Sequence, residues 1–270
     1  MKITFLGGGN MAAALIGGLL KQGFKADELQ AIELSAEGRD KLAGNFGVRA
    51  VESLDEQALA CDVLVLAVKP QQLRDAVAPV AGRLTRQVVV SIAAGLRLVD
   101  IGRWLGGYGN LVRAMPNTPA LIGAGITGLF ASAGVDEAGR TAAERVLAAV
   151  GSTVWVADEA QIDGVTAISG SGPAYVFHFI ESLQAAGESI GFDADTARKL
   201  AIDTVLGAAR LAAGSEESPG VLRERVTSKG GTTAAALASF AADGFPAVVE
   251  RAVRAAEARG QELGEQLGRD

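Results

Sequence analysis

The sequence predicts an α/β domain built on a doubly wound parallel sheet, followed by an all-α domain. From Lys2 to about Val156, short β-rich runs alternate with helix-length amphipathic segments, an order that builds a parallel sheet covered by helices. After Asp158 the β-rich runs stop, and Ala-rich sequence with helical periodicity follows. A chain of 270 residues can form two such domains, which we place at residues 1–160 and 161–270.

Eight strands are expected in the first domain. The run from Val63 to Val68 is continuously apolar, which is typical of a strand buried on both faces, so we expect it at the centre of the sheet. The eight predicted strands lie near Ile3–Leu6, Leu29–Leu34, Val48–Val51, Val63–Val68, Val88–Ile92, Leu111–Met115, Ile126–Phe130 and Thr153–Val156.

Composition and charge exclude several classes of function. The formal net charge is −6, and no basic patch is present, so neither nucleic acid nor a membrane is expected as a partner. One cysteine, Cys61, and one histidine, His178, are too few for an intramolecular disulfide or for a zinc site, and we expect no metal. These observations favour a cytoplasmic protein that acts on a small molecule.

A glycine-rich motif directly follows the first predicted strand. Residues 7–12 read GGGNMA, which fits GxGxxA, and a helix is expected from there to about Gln22. In this context Gly7 permits a tight turn, Gly9 lets backbone approach a pyrophosphate, and Ala12 allows close packing of helix and strand. A plain glycine turn is the alternative, but the position in a strand–turn–helix unit favours a dinucleotide-binding domain of the Rossmann type.

The end of the second strand leaves the choice of cofactor open. Glu33 would favour NADH if its side chain points into the site, because a carboxylate binds the ribose 2′-hydroxyl. Ser35 and Arg39, just beyond, could instead hold the 2′-phosphate of NADPH. A second alternative is that Glu33 faces the other side of the sheet, since neighbouring strand residues alternate faces. We favour NADPH, with NADH as the alternative.

Other strands end in segments that suit the same site. Lys69 and Pro70 follow the central strand, and the small residues of Ile92–Gly95 leave room for a flat ring. A solvated lysine and an ordinary tight strand exit are the alternative interpretations. Residues 115–119, which read MPNTP, predict a rigid turn after the sixth strand.

Two polar clusters interrupt the helical domain. Residues 169–173 precede a long helix, with Ser171 or Gly172 as its N-cap, and His178 within that helix is expected in a core or an interface rather than in catalysis. Residues 227–233 read TSKGGTT before another helix, where backbone N–H groups and hydroxyls can bind a carboxylate. A glycine link with a threonine cap is the alternative.

The last segment carries an apolar stripe with heptad-like spacing. Its other positions are charged, so it predicts either a surface helix packed on its own domain or a dimer seam. The stripe consists of Val249, Val253, Ala256, Gly260, Leu263 and Leu267.

Together these stretches resemble the pyrroline-5-carboxylate reductase family over essentially the whole chain. The motif most specific to the family is the one beginning at Val226. The matching motifs are FLGGGNMAAALIGGL at the start, AVKP at Ala67–Pro70, SIAAG at Ser91–Gly95, RAMPNTPA at Arg113–Ala120, SGSGPAYVF at Ser169–Phe177 and VTSKGGTTAAAL at Val226–Leu237. The sequence departs from the family pattern at Lys229, where many members have proline, and at Glu33.

The resemblance implies hydride transfer from NADPH to the cyclic imine 1-pyrroline-5-carboxylate, which yields L-proline in the last step of proline biosynthesis. Thr233 is expected near the ring nitrogen as the catalytic residue. The implied substrate contacts are Glu216, Ser228, Gly230, Gly231, Thr232 and Thr233. The implied cofactor contacts are Leu6, Gly7, Gly8, Gly9, Asn10, Met11, Ser35, Ala67, Val68, Lys69, Pro70, Ile92, Ala93 and Ala94. The family also implies a homodimer with interleaved C-terminal helices, which can assemble further into a decamer.

Two other functions fit parts of the sequence. A β-hydroxyacid dehydrogenase also joins a dinucleotide domain to a helical domain, but it needs a catalytic lysine that residues 174–181 do not contain. A dinucleotide-binding sensor or regulatory subunit would have no use for the Ser228–Thr233 loop. The imine itself is electrophilic when protonated, so the protein need only align the two rings and hydrogen-bond the nitrogen.

Overall fold

Eight strands form one sheet in the computed structural model, which describes residues 1–269. The strands are β1 (Ile3–Leu6), β2 (Leu29–Ile32), β3 (Arg49–Val51), β4 (Val63–Leu66), β5 (Val88–Ser91), β6 (Leu111–Met115), β7 (Gly125–Ala131) and β8 (Gly151–Trp155). Their order is β3-β2-β1-β4-β5-β6-β7-β8, and all neighbours are parallel except β6 and β7. The predicted doubly wound α/β fold and its eight strands are confirmed, with β4 near the centre.

Twelve helices labelled here in chain order accompany the sheet within the described residues. They are α1 (Asn10–Lys21), α2 (Ala36–Phe46), α3 (Glu56–Leu59), α4 (Pro70–Val77), α5 (Leu98–Trp104), α6 (Glu137–Leu147), α7 (Gln161–Val165), α8 (Gly172–Ser189), α9 (Ala194–Ala213), α10 (Pro219–Arg225), α11 (Thr232–Ala242) and α12 (Phe245–Gly268). The all-α character expected after Asp158 is confirmed.

The core lies on both faces of the sheet because strand side chains alternate. Phe5 and Val65 point to the face covered by α1 and α6. Leu64 and Leu66 point to the other face, where they pack in one cluster with Leu73 of α4. Both faces of β4 are therefore apolar and pack against helices, as expected for a central parallel strand.

By packing, the chain divides into two compact units. Unit 1 comprises Met1–Ser171 together with the chain from Ala255 onward, and unit 2 comprises Gly172–Arg254. These units are defined by compactness alone, so the domain limits of 1–160 and 161–270 stay a prediction.

Unit 2 consists of helices that bury few of their own side chains. α8 and α9 pack closely, since a Cβ built on Gly187 would lie 3.1 Å from the Cβ of Ala197. Ala197 and Ala201 are buried in α9, whereas many large apolar side chains of unit 2 are exposed.

No single helix within residues 1–269 is long and apolar enough to cross a membrane. Only together do α11 and α12 have the length and composition of a membrane-spanning segment, and the two helices are bent by 53° where they meet.

Candidate active site

The turn between β1 and α1 leaves open space in front of a helix start. Gly7 has a φ of +103°, and a Cβ on it would lie 2.7 Å from the carbonyl oxygen of Ala67, so the turn requires glycine. Gly9 is the N-cap of α1, and among residues 1–269 no side-chain hydrogen bond caps this helix start. A Cβ built on Gly9 would meet no described atom within 4 Å. The free N–H groups and the positive end of the helix dipole suit a pyrophosphate here.

The carboxylate of Glu33 binds the backbone around this turn. Its Oε2 accepts a hydrogen bond from Gly8 N at 2.9 Å, and its Oε1 accepts one from Ser35 N at 2.8 Å. The side chain therefore lies on the side of the glycine-rich turn. The alternative in which Glu33 faces the opposite side of the sheet is wrong for this structure.

Ser35 and Arg39 lie at the same end of β2. The Ser35 hydroxyl accepts a hydrogen bond from Gly38 N at 3.3 Å and so caps α2. Arg39 Nη1 donates to the carbonyl oxygens of Glu33 at 2.8 Å and Leu34 at 2.7 Å. These bonds fix the guanidinium beside the strand end, where a cation and an exposed serine fit a 2′-phosphate.

The ends of β4 and β5 continue this edge of the sheet. Ala67 N donates to Leu6 O at 2.8 Å, and Ile92 N donates to Leu66 O at 3.2 Å. Exposed Lys69 precedes α4, with Pro70 at its first position. Since β2, β1, β4 and β5 are consecutive neighbours, the predicted cofactor residues come together at the carboxyl ends of four adjacent strands. The residues present therefore fit a dinucleotide.

Two buried polar groups, one in β6 and one just after it, are not evident from the sequence motifs. Arg113 is 2% exposed, and its guanidinium lies 2.8 Å from Asp163 Oδ1 and 3.5 Å from Glu159 Oε1. Asn117 Nδ2 donates to Ser169 O at 3.2 Å, while its Oδ1 accepts from Ile126 N at 3.0 Å. The signal that could have revealed the Arg113 group is an arginine inside an otherwise apolar strand, because buried charges need partners.

The contact between Asn117 and Ser169 fixes an unusual helical turn. Residues 166–170 form a π-helix between α7 and α8. Such turns are rare and occur often at functional sites. The SGSGP motif begins within this turn, so its start is held by the rigid turn that follows β6.

In unit 2, residues 228–231 form the turn that leads into α11, and Thr232 and Thr233 are the first two residues of that helix. Gly230 has a φ of +72°, and Gly231 N donates to Ser228 O at 3.0 Å. Gly231 is the N-cap of α11 and has no side-chain cap from the described residues, and the first turn has no acidic residue. Thr232 is exposed and Thr233 is half-buried. The uncapped N–H groups of this turn suit a carboxylate, as predicted for a helix start of this kind.

Glu216 and His178 lie elsewhere in unit 2. Glu216 is exposed in the segment before α10, and its neighbour Glu217 lies 2.5 Å from Arg225 at the other end of that helix. The side chain of His178 is 81% exposed, with Nδ1 3.2 Å from Glu181 Oε2. The expectation of a core histidine is therefore wrong within this chain, whereas an interface position stays a prediction.

The single cysteine does not resemble a nucleophile. Burial raises the pKa of the Cys61 thiol above its ordinary value. Cys61 also precedes β4, at the amino end of the sheet, opposite the glycine-rich turn. Among residues 1–269, no group of three or more His, Cys, Asp or Glu side chains is arranged to hold a metal ion.

Two family models match the chain. The model described as "Pyrroline-5-carboxylate reductase dimerisation" matches residues 159–263. The model described as "NADP oxidoreductase coenzyme F420-dependent" matches residues 2–95.

Similar proteins span the same length. A pyrroline-5-carboxylate reductase from Pseudomonas aeruginosa is 49% identical over 99% of this chain and 98% of its own. One from Haemophilus influenzae is 44% identical over 97% of each chain. A solved pyrroline-5-carboxylate reductase from Coxiella burnetii matches with a TM-score of 0.92 and 40% identity, covering 97% of this chain and 98% of its own. The Plasmodium falciparum pyrroline carboxylate reductase, solved with NADP bound, matches with a TM-score of 0.85 and 29% identity over 98% of each chain.

Proposed function

This chain belongs to the pyrroline-5-carboxylate reductase family, and from that premise we propose that it reduces 1-pyrroline-5-carboxylate to L-proline with NADPH. The observation that carries the proposal is the 49% identity to a reductase of that name over nearly the full length of both chains. The reaction is an oxidoreduction on a CH–NH bond and is the last step of proline biosynthesis.

The cofactor is NADPH, with NADH as the alternative. The family model for residues 2–95 and the relative solved with NADP support this choice. Gly9 and the start of α1 would receive the pyrophosphate, and Ser35 with Arg39 would receive the 2′-phosphate. When bound, the reduced nicotinamide supplies the hydride.

The substrate site is proposed at Ser228–Thr233, with Glu216. The backbone at Gly230 and Gly231 receives the carboxylate, to which the uncapped N–H groups at the start of α11 donate, and the Thr233 hydroxyl hydrogen-bonds the ring nitrogen and orients it. A protonated imine is already electrophilic, so alignment of the reactants supplies much of the rate acceleration. The geometry that supports this proposal is the uncapped start of α11 beside the left-handed turn at Gly230.

We further propose that the chain works as a homodimer with interleaved C-terminal helices, and that dimers assemble into a decamer. The support is the dimerisation model over residues 159–263 and the exposed apolar surface of unit 2. Its large exposed side chains include Tyr175, Val176, Phe177, Phe179, Leu200, Phe240, Phe245, Val248 and Val249.

The proposed location is the cytoplasm. Cys61 is the only cysteine of the sequence. A chain with one cysteine cannot form an intramolecular disulfide, so an oxidising compartment would not stabilise it in this way.

The test of the activity follows the near-ultraviolet absorbance of the reduced nicotinamide in the presence of purified protein and the imine. We expect a loss of absorbance that depends on the imine and is faster with NADPH than with NADH at equal concentration. Folded protein that binds NADPH but gives no turnover would instead favour the dinucleotide-binding sensor. Faster turnover with NADH would indicate that Glu33, rather than Ser35 and Arg39, determines which cofactor is preferred.

A further inference from the structure

The last turns of α12 pack on the loop that follows β5. Gly264 is buried, and a Cβ built on it would lie 2.6 Å from the carbonyl oxygen of Gly95. A Cβ on Gly268 would overlap the carboxylate of Asp100. Glycine inside a helix is less favourable than alanine, so its presence there needs a reason. At Gly264 the close approach of two backbones accounts for its presence.

Polar and apolar contacts hold this end of the helix in place. Arg103 Nη2 donates to the carbonyl oxygen of Gly268 at 2.7 Å and lies 3.1 Å from Asp100 Oδ1. Leu267 packs against the apolar cluster that contains Ala93 and Leu96. The segment between β5 and α5 is thus held between the core and the end of α12.

This segment includes the residues proposed to contact the cofactor from β5. In a doubly wound sheet the dinucleotide lies across the carboxyl ends of the strands, and the β2 side of β1 binds its adenosine half. Since β5 lies on the other side of β1, beyond β4, Ile92–Ala94 belong to the half that receives the nicotinamide.

We propose that the C-terminal end of α12 positions the Ile92–Gly95 loop for the nicotinamide half of the cofactor, with Gly264 as the positioning residue. The inference rests on the proposed dinucleotide site. A side chain at position 264 pushes the Gly95 carbonyl away from α12 and displaces the loop, while the glycine-rich turn at Gly7–Gly9 is left in place.

Gly264→Ala and its matched control, Gly260→Ala, test this. Both variants make the same change in the same helix, but a Cβ on Gly260 meets no described atom nearer than the Cβ of Asp163 at 4.0 Å. Calorimetric titration of the full chain would measure binding of NADPH and of 2′-phospho-ADP-ribose, which lacks the nicotinamide. We expect Gly264→Ala to weaken NADPH about tenfold and to change 2′-phospho-ADP-ribose by less than about twofold. Gly260→Ala should bind both as the wild type does.

Unchanged NADPH affinity in Gly264→Ala overturns the proposal, as does an equal loss for both ligands, which indicates general damage. If Gly264→Ala fails to fold, Arg103→Gln removes the bond to Gly268 without adding a side chain in the contact. Arg103→Gln should also weaken NADPH more than 2′-phospho-ADP-ribose, and equal effects would contradict the role. Wild-type protein that binds neither ligand overturns the dinucleotide site, and this proposal with it.

Discussion

Glu33 and Arg39 are both held by hydrogen bonds to backbone atoms around the proposed cofactor site. Both carboxylate oxygens of Glu33 accept backbone N–H groups, and Nη1 of Arg39 donates to two carbonyl oxygens. Glu33 thus supports the glycine-rich turn, while Arg39 brings a cation to the end of β2. The two side chains that favour opposite cofactors therefore lie at the same end of β2, and we expect them to set the preference between NADPH and NADH.

Arg39→Ala should raise the KM for NADPH about tenfold and change the KM for NADH by less than about twofold, because only NADPH carries the 2′-phosphate. Steady-state kinetics with each cofactor would measure both values. Arg86→Ala serves as the control, since exposed Arg86 precedes β5 at the opposite end of the sheet. Equal increases for the two cofactors would contradict the role of Arg39.

Thr233→Ala tests the proposed bond to the substrate nitrogen. Loss of a hydrogen bond to a charged group costs about 1.5–3 kcal/mol, so kcat/KM for the imine should fall roughly ten- to hundredfold. Ser239→Ala removes a hydroxyl near the other end of α11 and should behave as the wild type. Full activity and unchanged imine affinity in Thr233→Ala would show that its hydroxyl does not orient the nitrogen.

At the scale of secondary-structure elements, local chemistry accounts for most boundaries. The sequence predicts that Gly7 and Gly9 shape the start of α1. Gly7 has the positive φ that the tight turn requires, and Gly9 has the open surroundings that a close approach requires. β2 and β4 end at Ile32 and Leu66, two residues before the predicted ends at Leu34 and Val68. Their last predicted residues leave the sheet because strands β1 and β5 beside them end there too.

The N-cap of α9 gives a pH-dependent prediction. Hydrogen bonds from the backbone N–H and then the hydroxyl of Thr196 hold the pKa of Asp193 below its ordinary value. A lowered folded-state pKa contributes stability above the unfolded pKa of about 3.9, and this contribution is lost as pH falls through the folded value. Asp193→Ala should therefore lower the urea midpoint at about pH 7 and lose that effect near pH 2.

Asp193→Asn is the matched comparison because asparagine is also a good N-cap but does not titrate. Its stability relative to Asp193→Ala should change little between the two pH values. Urea titrations followed by far-ultraviolet circular dichroism would measure all three proteins. A difference between the wild type and Asp193→Ala that is the same at both pH values would contradict the titration of this cap.

At the scale of the whole molecule, unit 2 leaves a large apolar surface exposed in the single chain. Phe177 is 67% exposed and Val249 is 44% exposed, which is unusual for side chains in long helices of a monomer. The heptad-like stripe of α12 divides accordingly. Leu267 belongs to unit 1 and packs against an apolar cluster of that unit, whereas Val249 belongs to the exposed surface of unit 2.

Val249→Glu should shift the protein towards monomer, because a carboxylate buried at an apolar interface loses its hydration without gaining a partner. Sedimentation velocity at fixed protein concentration would measure the mass. Arg251→Glu introduces the same side chain at an exposed charged position of α12 and should leave the assembly unchanged. A wild type that sediments as a monomer, or a Val249→Glu variant with wild-type mass, would contradict the proposed dimer.

The sequence by itself determined the α/β character, the eight strands, the glycine-rich turn and the family. These features depend on local periodicity, on backbone freedom at positions such as Gly7, and on motifs contiguous in the chain. Only the tertiary structure decided that Glu33 lies on the side of the glycine-rich turn, that Arg113 has buried acidic partners, and that Gly264 lies against Gly95. Those contacts join residues distant in sequence, and their geometry follows from how strands and helices pack, which no local pattern encodes.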